Sequence, residues 1–558
     1  MSTTESAATS PKHLLRVACI GAGPGGLFAA IALAKAVPGS HIDVFERNAR
    51  DNVYGFGVVF SDTTYHNINQ VDSVLKEVLD AHGRHWNTIR VVSRGVTTPA
   101  SGNGMSAVHR RHLLAAMSAR AEQLGVHLHY ATPATIDTLL EQQAYDLIVA
   151  ADGTGSATRE RFAERLGHTR SVATVKFIWF ATPFQFQGLT FLHKQSRFGN
   201  FAVHAYPIGE GLSTFIVETD EDTWHKAGLD AFDVTQPAGP SDEKSQQFLA
   251  ELFADEIDHQ PLVANNSRWA NFCTRRTQTW HVQADARTAV AFLGDSVHTA
   301  HFSVGSGTKM AMEDASILAQ CVQEHPGDLE TALSTYERIR APEVNKIQDS
   351  ALPSLSWWDH FGRYQRALPP WQFSFHFFSR AISLGKLRVR DTAFVAQSEA
   401  AWRQAFQSPP LSTPLTAGTC TFSSRLLFVR HQTAGSVQLG DGLTWIEALP
   451  VDAPQYAGYA LCAAPDADTA TLGAREQAAL DVLAHHRPTL AVIHQGTPLS
   501  RVLASEYLKM QHGIPTLLVD DLAALRSRRA LSIHDDIETL VLSGRADAVA
   551  FALDTPQP

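Results

Sequence analysis

Leu14-Leu-Arg-Val-Ala-Cys-Ile20-Gly21-Ala-Gly23-Pro24-Gly25-Gly26 passes from a short apolar, β-branched run directly into glycines. An Ala- and Leu-rich helical pattern, Leu27 to Val37, follows and stops at the turn signal Pro38-Gly39. A second strand-like run spans His41 to Phe45. Strand, helix and strand within roughly 30 residues make a βαβ unit of the size that opens a dinucleotide-binding fold. In the spacing Gly21-x-Gly23-x-x-Gly26, the first glycine permits a tight turn and the second admits a phosphate to the backbone. The third lets helix and strand pack closely. The helix N-terminus adds free N–H groups and a partial positive charge, worth about 0.3–2 kcal/mol to an anion. Gly21, Gly23, Pro24, Gly25 and Gly26 are therefore candidates to hold a pyrophosphate. Glu46 stands at the end of the second strand, twenty positions past Gly26, where a carboxylate can accept hydrogen bonds from ribose hydroxyls. Arg47 is beside it.

With 558 residues the chain is too long for one core, and two to four domains are expected. Apolar residues make up 44% and charged residues 18%, which sets aside disordered and fibrous classes. The net charge of −10 argues against a nucleic-acid partner, because a phosphate-binding surface needs clustered Lys and Arg. Cys19, Cys273, Cys321, Cys420 and Cys462 include no C-x-x-C pair, so neither a disulfide framework nor a zinc site is expected. Residues 1–13 lack an apolar core and read as a disordered tail, not a signal peptide. No uninterrupted apolar stretch reaches the ~20 residues of a membrane span. The richest, Trp371 to Leu384, contains His376 and Arg380 and reads as a packed amphipathic helix. A cytoplasmic protein without a membrane partner is expected.

From Ala173 to Glu218, aromatic and β-branched runs (Phe177 to Phe180, Phe201 to Tyr206, Ser213 to Glu218) alternate with Gly and Pro turns and predict an antiparallel sheet. Ala289 to Leu293 is another apolar strand, and helices dominate from there to about Phe406. Past Pro409-Pro410, strand-like runs (Leu426 to Val429, Leu490 to His494, Thr516 to Val519, Thr539 to Leu542) alternate with the helical runs Ala474 to Ala484 and Ser500 to Met510. The expected fold class is α/β. A Rossmann-like nucleotide-binding domain (14–172 and 268–345) carries an inserted antiparallel β-sheet substrate domain (173–267). A helical extension (346–408) and a smaller C-terminal α/β domain (409–558) complete the chain.

Two further motifs refine the ligand. Asp146-Leu-Ile-Val-Ala-Ala-Asp152-Gly153 delivers a carboxylate and a glycine at the C-terminal end of a buried strand, where ligands of open α/β sheets bind. Phe292-Leu-Gly294-Asp295-Ser-Val-His298 is followed by Gly305-Ser-Gly307-Thr308, which opens a helix carrying Glu313 and Asp314. Asp295 suits the hydroxyls of a ribityl chain, and the N–H groups at Gly305, Gly307 and Thr308 suit an electron-rich ring edge. The order and spacing of the three motifs resemble the FAD-dependent aromatic hydroxylases, the single-component monooxygenases related to p-hydroxybenzoate hydroxylase. The resemblance implies FAD as cofactor, NAD(P)H as transient co-substrate, and dioxygen activated as a flavin C4a-hydroperoxide. It also implies that Asp152-Gly153 lies near cofactor and NAD(P)H path, and that Arg110 in His109-Arg-Arg-His-Leu113 approaches FAD, with Arg111 the adjacent alternative.

A narrower resemblance rests on His301-Phe302-Ser303-Val304-Gly305-Ser306-Gly307-Thr308-Lys309, which replaces the broad family's Pro-Pro, together with Phe177-Ile-Trp-Phe180, His204-Ala-Tyr206 and Ser213 to Glu218. These are similar to the salicylyl-CoA 5-hydroxylase and anthraniloyl-CoA monooxygenase group, over about residues 14–400. The substrate implied is an aromatic acyl-CoA thioester; a free aromatic or indolic substrate is the alternative, and a non-catalytic flavin-binding protein a more distant one. His204 and Tyr206 alternate on one strand face with Asn200 and Ala202, so they are candidate catalytic residues over the substrate. His301, just ahead of the flavin-binding helix, is the third, to bond substrate or flavin or to pack. Lys194, Arg197, Arg275 and Arg276 are candidates for CoA phosphates. No second dinucleotide fingerprint follows, which argues against the disulfide reductases. The C-terminal segment resembles parts of an Old Yellow Enzyme-like barrel at Ser412 to Leu415, Gly513 to Thr516 and Ser543 to Ala550. Some 150 residues are too few for a (β/α)8 barrel of at least about 200, so a reduced remnant without FMN is expected. It would act as a homodimer contact or a lid. Asp520-Asp521 and Leu553-Asp554 replace the barrel's phosphate-binding residues.

Overall fold

The computed structural model describes residues 14–552 apart from 238, 306, 419, 434–435, 440–443, 447–458, 463–470, 495 and 522–536. The expected tail at 1–13 and Leu553-Asp554 lie outside the described residues. The first sheet has Ala289–Phe292, Leu147–Ala150, Arg16–Ile20, His41–Phe45 and His127–His129 parallel in that order, its central strands wholly apolar past Arg16. His281–Gln283 adds an antiparallel edge. Strands buried on both faces need helices on both sides. Pro24–Ala36 and Gly307–Glu324 pack together over this sheet, joining Leu27, Phe28 and Ile31 to Met310 and Leu318 in one core. The sheet order reverses beside Arg16–Ile20, so the glycine loop opens at a topological switch point.

The second sheet has eight strands and is wider than the expected 173–267. Ile89–Ser93 pairs in parallel with Thr190–Gln195, Val96–Ala100 forms the edge, and Ala270–Arg276 pairs with Thr169–Thr182. These partners are remote in sequence, and local patterning carries no record of them. The expected break at 345/346 is also absent: one helix runs from Leu329 to Ala367 through Pro342 and Pro353. An internal proline costs about 3 kcal/mol, offset here by burial of Val344, Ala351, Trp357, Trp358 and Phe361.

The C-terminal domain corrects the expectation of an unclosed remnant. Seven strands close into a barrel, with Leu426–Thr433 parallel to Ala548–Ala552 at the seam. Closure takes few residues because Leu426–Thr433, Ser436–Leu439 and Thr444–Ile446 pair antiparallel through short connections instead of βα units. Thr539 to Leu542, expected as a strand, belongs to the helix Ile537–Leu542; a four-residue apolar run has no period that separates the two states. The barrel's helices share a core with the helical extension, where Trp357, Phe373 and Phe377 meet Leu503, Leu508 and Val541. Glu506 crosses that contact, accepting from Tyr364 Oη at 2.6 Å and lying 3.0 Å from His376 Nε2, with Arg545 Nε at 3.4 Å. Among the described residues no helix is long and apolar enough to cross a membrane.

Candidate active site

The glycine loop has the geometry its spacing predicts. Gly21 sits at φ +103°, and a Cβ there would fall 2.5 Å from the Ala151 carbonyl oxygen. A Cβ on Gly26 would lie 2.0 Å from the Gly21 oxygen, so only glycine brings helix and loop this close. Gly23 is the N-cap of Pro24–Ala36 and supplies no side-chain cap, and a Cβ there would meet nothing within 4 Å. The uncapped N–H groups thus face open space. Glu46 is held by its own surroundings: Ala22 N donates to Oε2 at 3.0 Å and Asn48 N to Oε1 at 2.9 Å. Glu46 and exposed Arg47 do not line the cavity described next.

A cavity of about 580 Å³ runs from Gly23, Pro24 and Gly25, past Gly153, Asp295, Gly305, Gly307 and Thr308, to the face of the second sheet. Gly294, at φ +60°, turns Asp295 into it. That turn is anchored by buried Asp314, which accepts from Gly294 N at 3.0 Å and Arg340 Nε at 2.9 Å, with His298 Nε2 at 2.7 Å. His298 is therefore structural. Burial pushes the Asp295 carboxyl up, and His298 and Arg110 pull it back. Arg110 lines the cavity, whereas Arg111 turns outward to pair with Glu210. Asp152 is used by the protein itself, its Oδ2 accepting from Thr158 N at 3.1 Å and Thr158 Oγ1 at 3.0 Å; Gly153 and Thr154 reach the cavity instead. The residues fit FAD. The loop is open where a phosphate needs backbone N–H groups, and buried Arg110 Nε and Asp152 Oδ1 have no hydrogen-bond partner among the described residues.

At the far end, Phe177, Trp179, Phe191 and Phe302 wall the cavity around His204 and Tyr206. Tyr206 Oη reaches the Gly57 carbonyl at 3.5 Å, and burial pushes its phenol up to about 12, so it stays protonated. His204 packs on Trp358 at 4.2 Å between ring centroids, and its Nε2 lies 2.6 Å from Glu218 Oε2. His301 does not line the cavity, so of the roles expected for it the structure favours packing over a bond to substrate or flavin. It is buried behind the wall, with Nε2 3.4 Å from Glu218 Oε1 and Nδ1 2.8 Å from Ser303 Oγ. Of the four CoA candidates, only Arg275 lines the cavity; Lys194 pairs with Glu256 and Arg276 with Asp349. Asn200 donates to the Gly362 carbonyl under the long helix and takes no part.

Sequence reasoning passed over Glu218 and Arg380 as functional groups. Glu218 carried a usable signal, a carboxylate directly after the apolar run Phe215 to Val217 and before the strand ends at Thr219. Arg380 carried none, since only the turn after the helix Pro370–Phe378 brings it near the sheet. Its guanidinium stacks over Phe377 at 3.9 Å, and Nε donates to Ser354 Oγ at 3.0 Å.

An α/β flavin fold, a pyrophosphate loop and an aromatic cavity continuous with it define an FAD-dependent monooxygenase. The chain belongs to the FAD binding domain family, which it matches over residues 15–351. It is 45% identical to a salicyloyl-CoA 5-hydroxylase from a Streptomyces species, over 96% of this chain and 99% of that protein. The likeness therefore extends past residue 400 through the C-terminal domain. It is 31% identical to the 3-hydroxy-4-methyl-anthranilyl-[aryl-carrier protein] 5-monooxygenase of Streptosporangium sibiricum, over 62% of this chain and 89% of that one. The tetrameric 2-methyl-3-hydroxypyridine-5-carboxylic acid oxygenase superposes with a TM-score of 0.48 at 19% identity, covering 66% and 96% of the two chains. The protein is an enzyme, an FAD-dependent aromatic hydroxylase that uses NAD(P)H.

Proposed function

We propose that the substrate is an aromatic acyl-CoA thioester of the salicyloyl or anthraniloyl type, hydroxylated on its ring. One observation carries the reading: the near end-to-end likeness to salicyloyl-CoA 5-hydroxylase takes in both the flavin loop and the aromatic niche. Bound flavin contributes the redox chemistry, reduction by NAD(P)H and activation of dioxygen. Gly21, Gly23, Pro24, Gly25, Gly26 and Arg110 hold its phosphates and ring system, and Asp295, Gly305, Gly307 and Thr308 hold the ribityl and ring edge. Phe177, Trp179, Phe191 and Phe302 clamp the substrate ring and exclude water, which protects the oxidising species from wasteful decay. His204 accepts a hydrogen bond from the ring hydroxyl or amino group and so raises the ring's electron density. Arg275 offers a cation to the thioester's anionic portion. Cytoplasmic residence, a homodimer and a C-terminal barrel without FMN belong to the same reading.

The test is stopped-flow flavin reduction and product analysis with salicyloyl-CoA, anthraniloyl-CoA and their free acids. The thioesters are expected to accelerate NAD(P)H oxidation and yield hydroxylated product, and the acids to do neither. Equal turnover of a free acid or an indole would overturn the assignment.

A further inference from the structure

Glu218 is fully buried between two histidines contributed by different parts of the molecule. His204 stands on the neighbouring strand and His301 on the loop ahead of the flavin-binding helix. An ionised carboxylate brings no proton, so His204, whose Nε2 lies 2.6 Å from it, must present an N–H there, while His301 Nε2 stands further off at 3.4 Å. His301 agrees independently: Ser303 N donates to its Nδ1 at 3.3 Å, which leaves Nε2 protonated and facing Glu218. In His204 the same requirement puts the lone pair on Nδ1. That nitrogen has no hydrogen bond among the described residues, and the ring lines the cavity.

We infer that Glu218 is a positioning residue for proton removal from the substrate, holding His204 with Nε2–H on the carboxylate and Nδ1 free to accept the proton of a ring hydroxyl. The inference rests on the proposed aromatic substrate. In the step, the substrate O–H bond breaks, its proton passes to His204 Nδ1, and the electron pair stays on the ring oxygen. The imidazolium formed is stabilised by Glu218, which remains ionised, and no electrons are exchanged. The arrangement is that of a base oriented by a third group.

The surrounding charges suit this division of labour. Burial alone would raise the Glu218 carboxyl, but His204 and His301 hold it down at about 2. Burial depresses the His204 imidazole against the pull of Glu218, so the resting pair is a neutral ring beside a carboxylate. His193, on the next strand, is pushed down to about 3 by burial and carries no charge. Asp359, on the long helix, is pushed up to about 6 by burial. Arg380, lowered to about 9 by burial and by nearby Arg545, stays cationic at neutral pH and balances Glu218. A hydrogen-bonded chain links them: Arg380 Nε to Ser354 Oγ at 3.0 Å, Ser354 Oγ to Ser303 Oγ at 3.1 Å, and Ser303 Oγ to His301 Nδ1 at 2.8 Å.

Two measurements on the FAD-loaded enzyme test the inference. Nitrogen NMR of 15N-histidine-labelled protein, with His204 assigned by its loss in His204→Gln, reads the tautomer without any substrate. A proton on Nε2 is expected, and a proton on Nδ1 overturns the inference whatever the substrate is. Glu218→Gln keeps the shape and the hydrogen-bond acceptor but removes the charge. With salicyloyl-CoA as probe, kcat is expected to fall by about 100-fold with KM little changed. The pH midpoint of phenolate formation, followed by absorbance of the bound probe, should rise by at least about one pH unit. Glu218→Asp should recover part of both. A variant that keeps FAD and melting temperature but also keeps the wild-type pH midpoint refutes the role. If wild-type enzyme neither binds nor converts salicyloyl-CoA, the substrate reading fails while the tautomer still decides the inference.

Discussion

Gly23→Ala separates cofactor recognition from folding. Gly23 has φ −73° and ψ 177°, ordinary values for alanine, and its new Cβ would meet nothing within 4 Å. Glycine-to-alanine changes at compatible positions stabilise by about 0.4–1 kcal/mol through the unfolded chain, which roughly offsets alanine's poorer fit at an N-cap, so the apoprotein should melt close to the wild-type temperature. Yet the residue lines the cavity at an uncapped helix N-terminus, and a methyl group there holds a phosphate away from the N–H groups. Losing one or two charge-assisted hydrogen bonds costs about 2–4 kcal/mol, which is roughly 30- to 900-fold in Kd. Titration of apoprotein with FAD, followed by quenching of flavin fluorescence, measures this directly. Gly26→Ala is the contrast, because its Cβ would lie 2.0 Å from the Gly21 oxygen and both stability and binding should fall. An FAD affinity for Gly23→Ala within threefold of wild type would refute the assignment of this loop to the pyrophosphate.

Glu506→Ala should lower stability by about 3–5 kcal/mol, because it strips the buried Arg545 of its counter-charge; thermal melting and limited proteolysis near residue 408 read the loosened contact. Glu506, like Glu218, is held down at about 2 by its partners, against the 4.5 of a free glutamate. The folded carboxyls thus add stability that is complete above about pH 4.5 and disappears as pH falls towards 2. Melting temperature across that window should fall less steeply in Glu506→Gln than in wild type. Denaturation should release one FAD per chain and no FMN, since Asp520-Asp521 stands where the barrel it resembles has a phosphate-binding residue, and Asp520 pairs with Arg501 at 2.9 Å; stoichiometric FMN by chromatography would refute this.

Much of the flavin site was legible because its requirements are local. Gly21, Gly23 and Gly26 answer to a turn, an approach and a helix contact within six residues, and the apolar strands record burial on both faces. The alternation of His204 and Tyr206 correctly put both on one sheet face. Other features depend on contacts between segments far apart in the chain. Arg110 and Arg111 are adjacent and chemically equal in sequence, and only the approach of Glu210 turns one outward. For His301 the sequence left ligand and packing roles open, and the fold sets it behind the wall near a carboxylate 83 positions earlier. Barrel closure depends on pairing Leu426–Thr433 with Ala548–Ala552, an event to which no local pattern corresponds. Sequence by itself determined the cofactor, because phosphate binding at a helix N-terminus is a short-range geometry. Only the tertiary structure decided which buried charges surround the substrate, because a carboxylate, two imidazoles and a guanidinium interact through space, not along the chain.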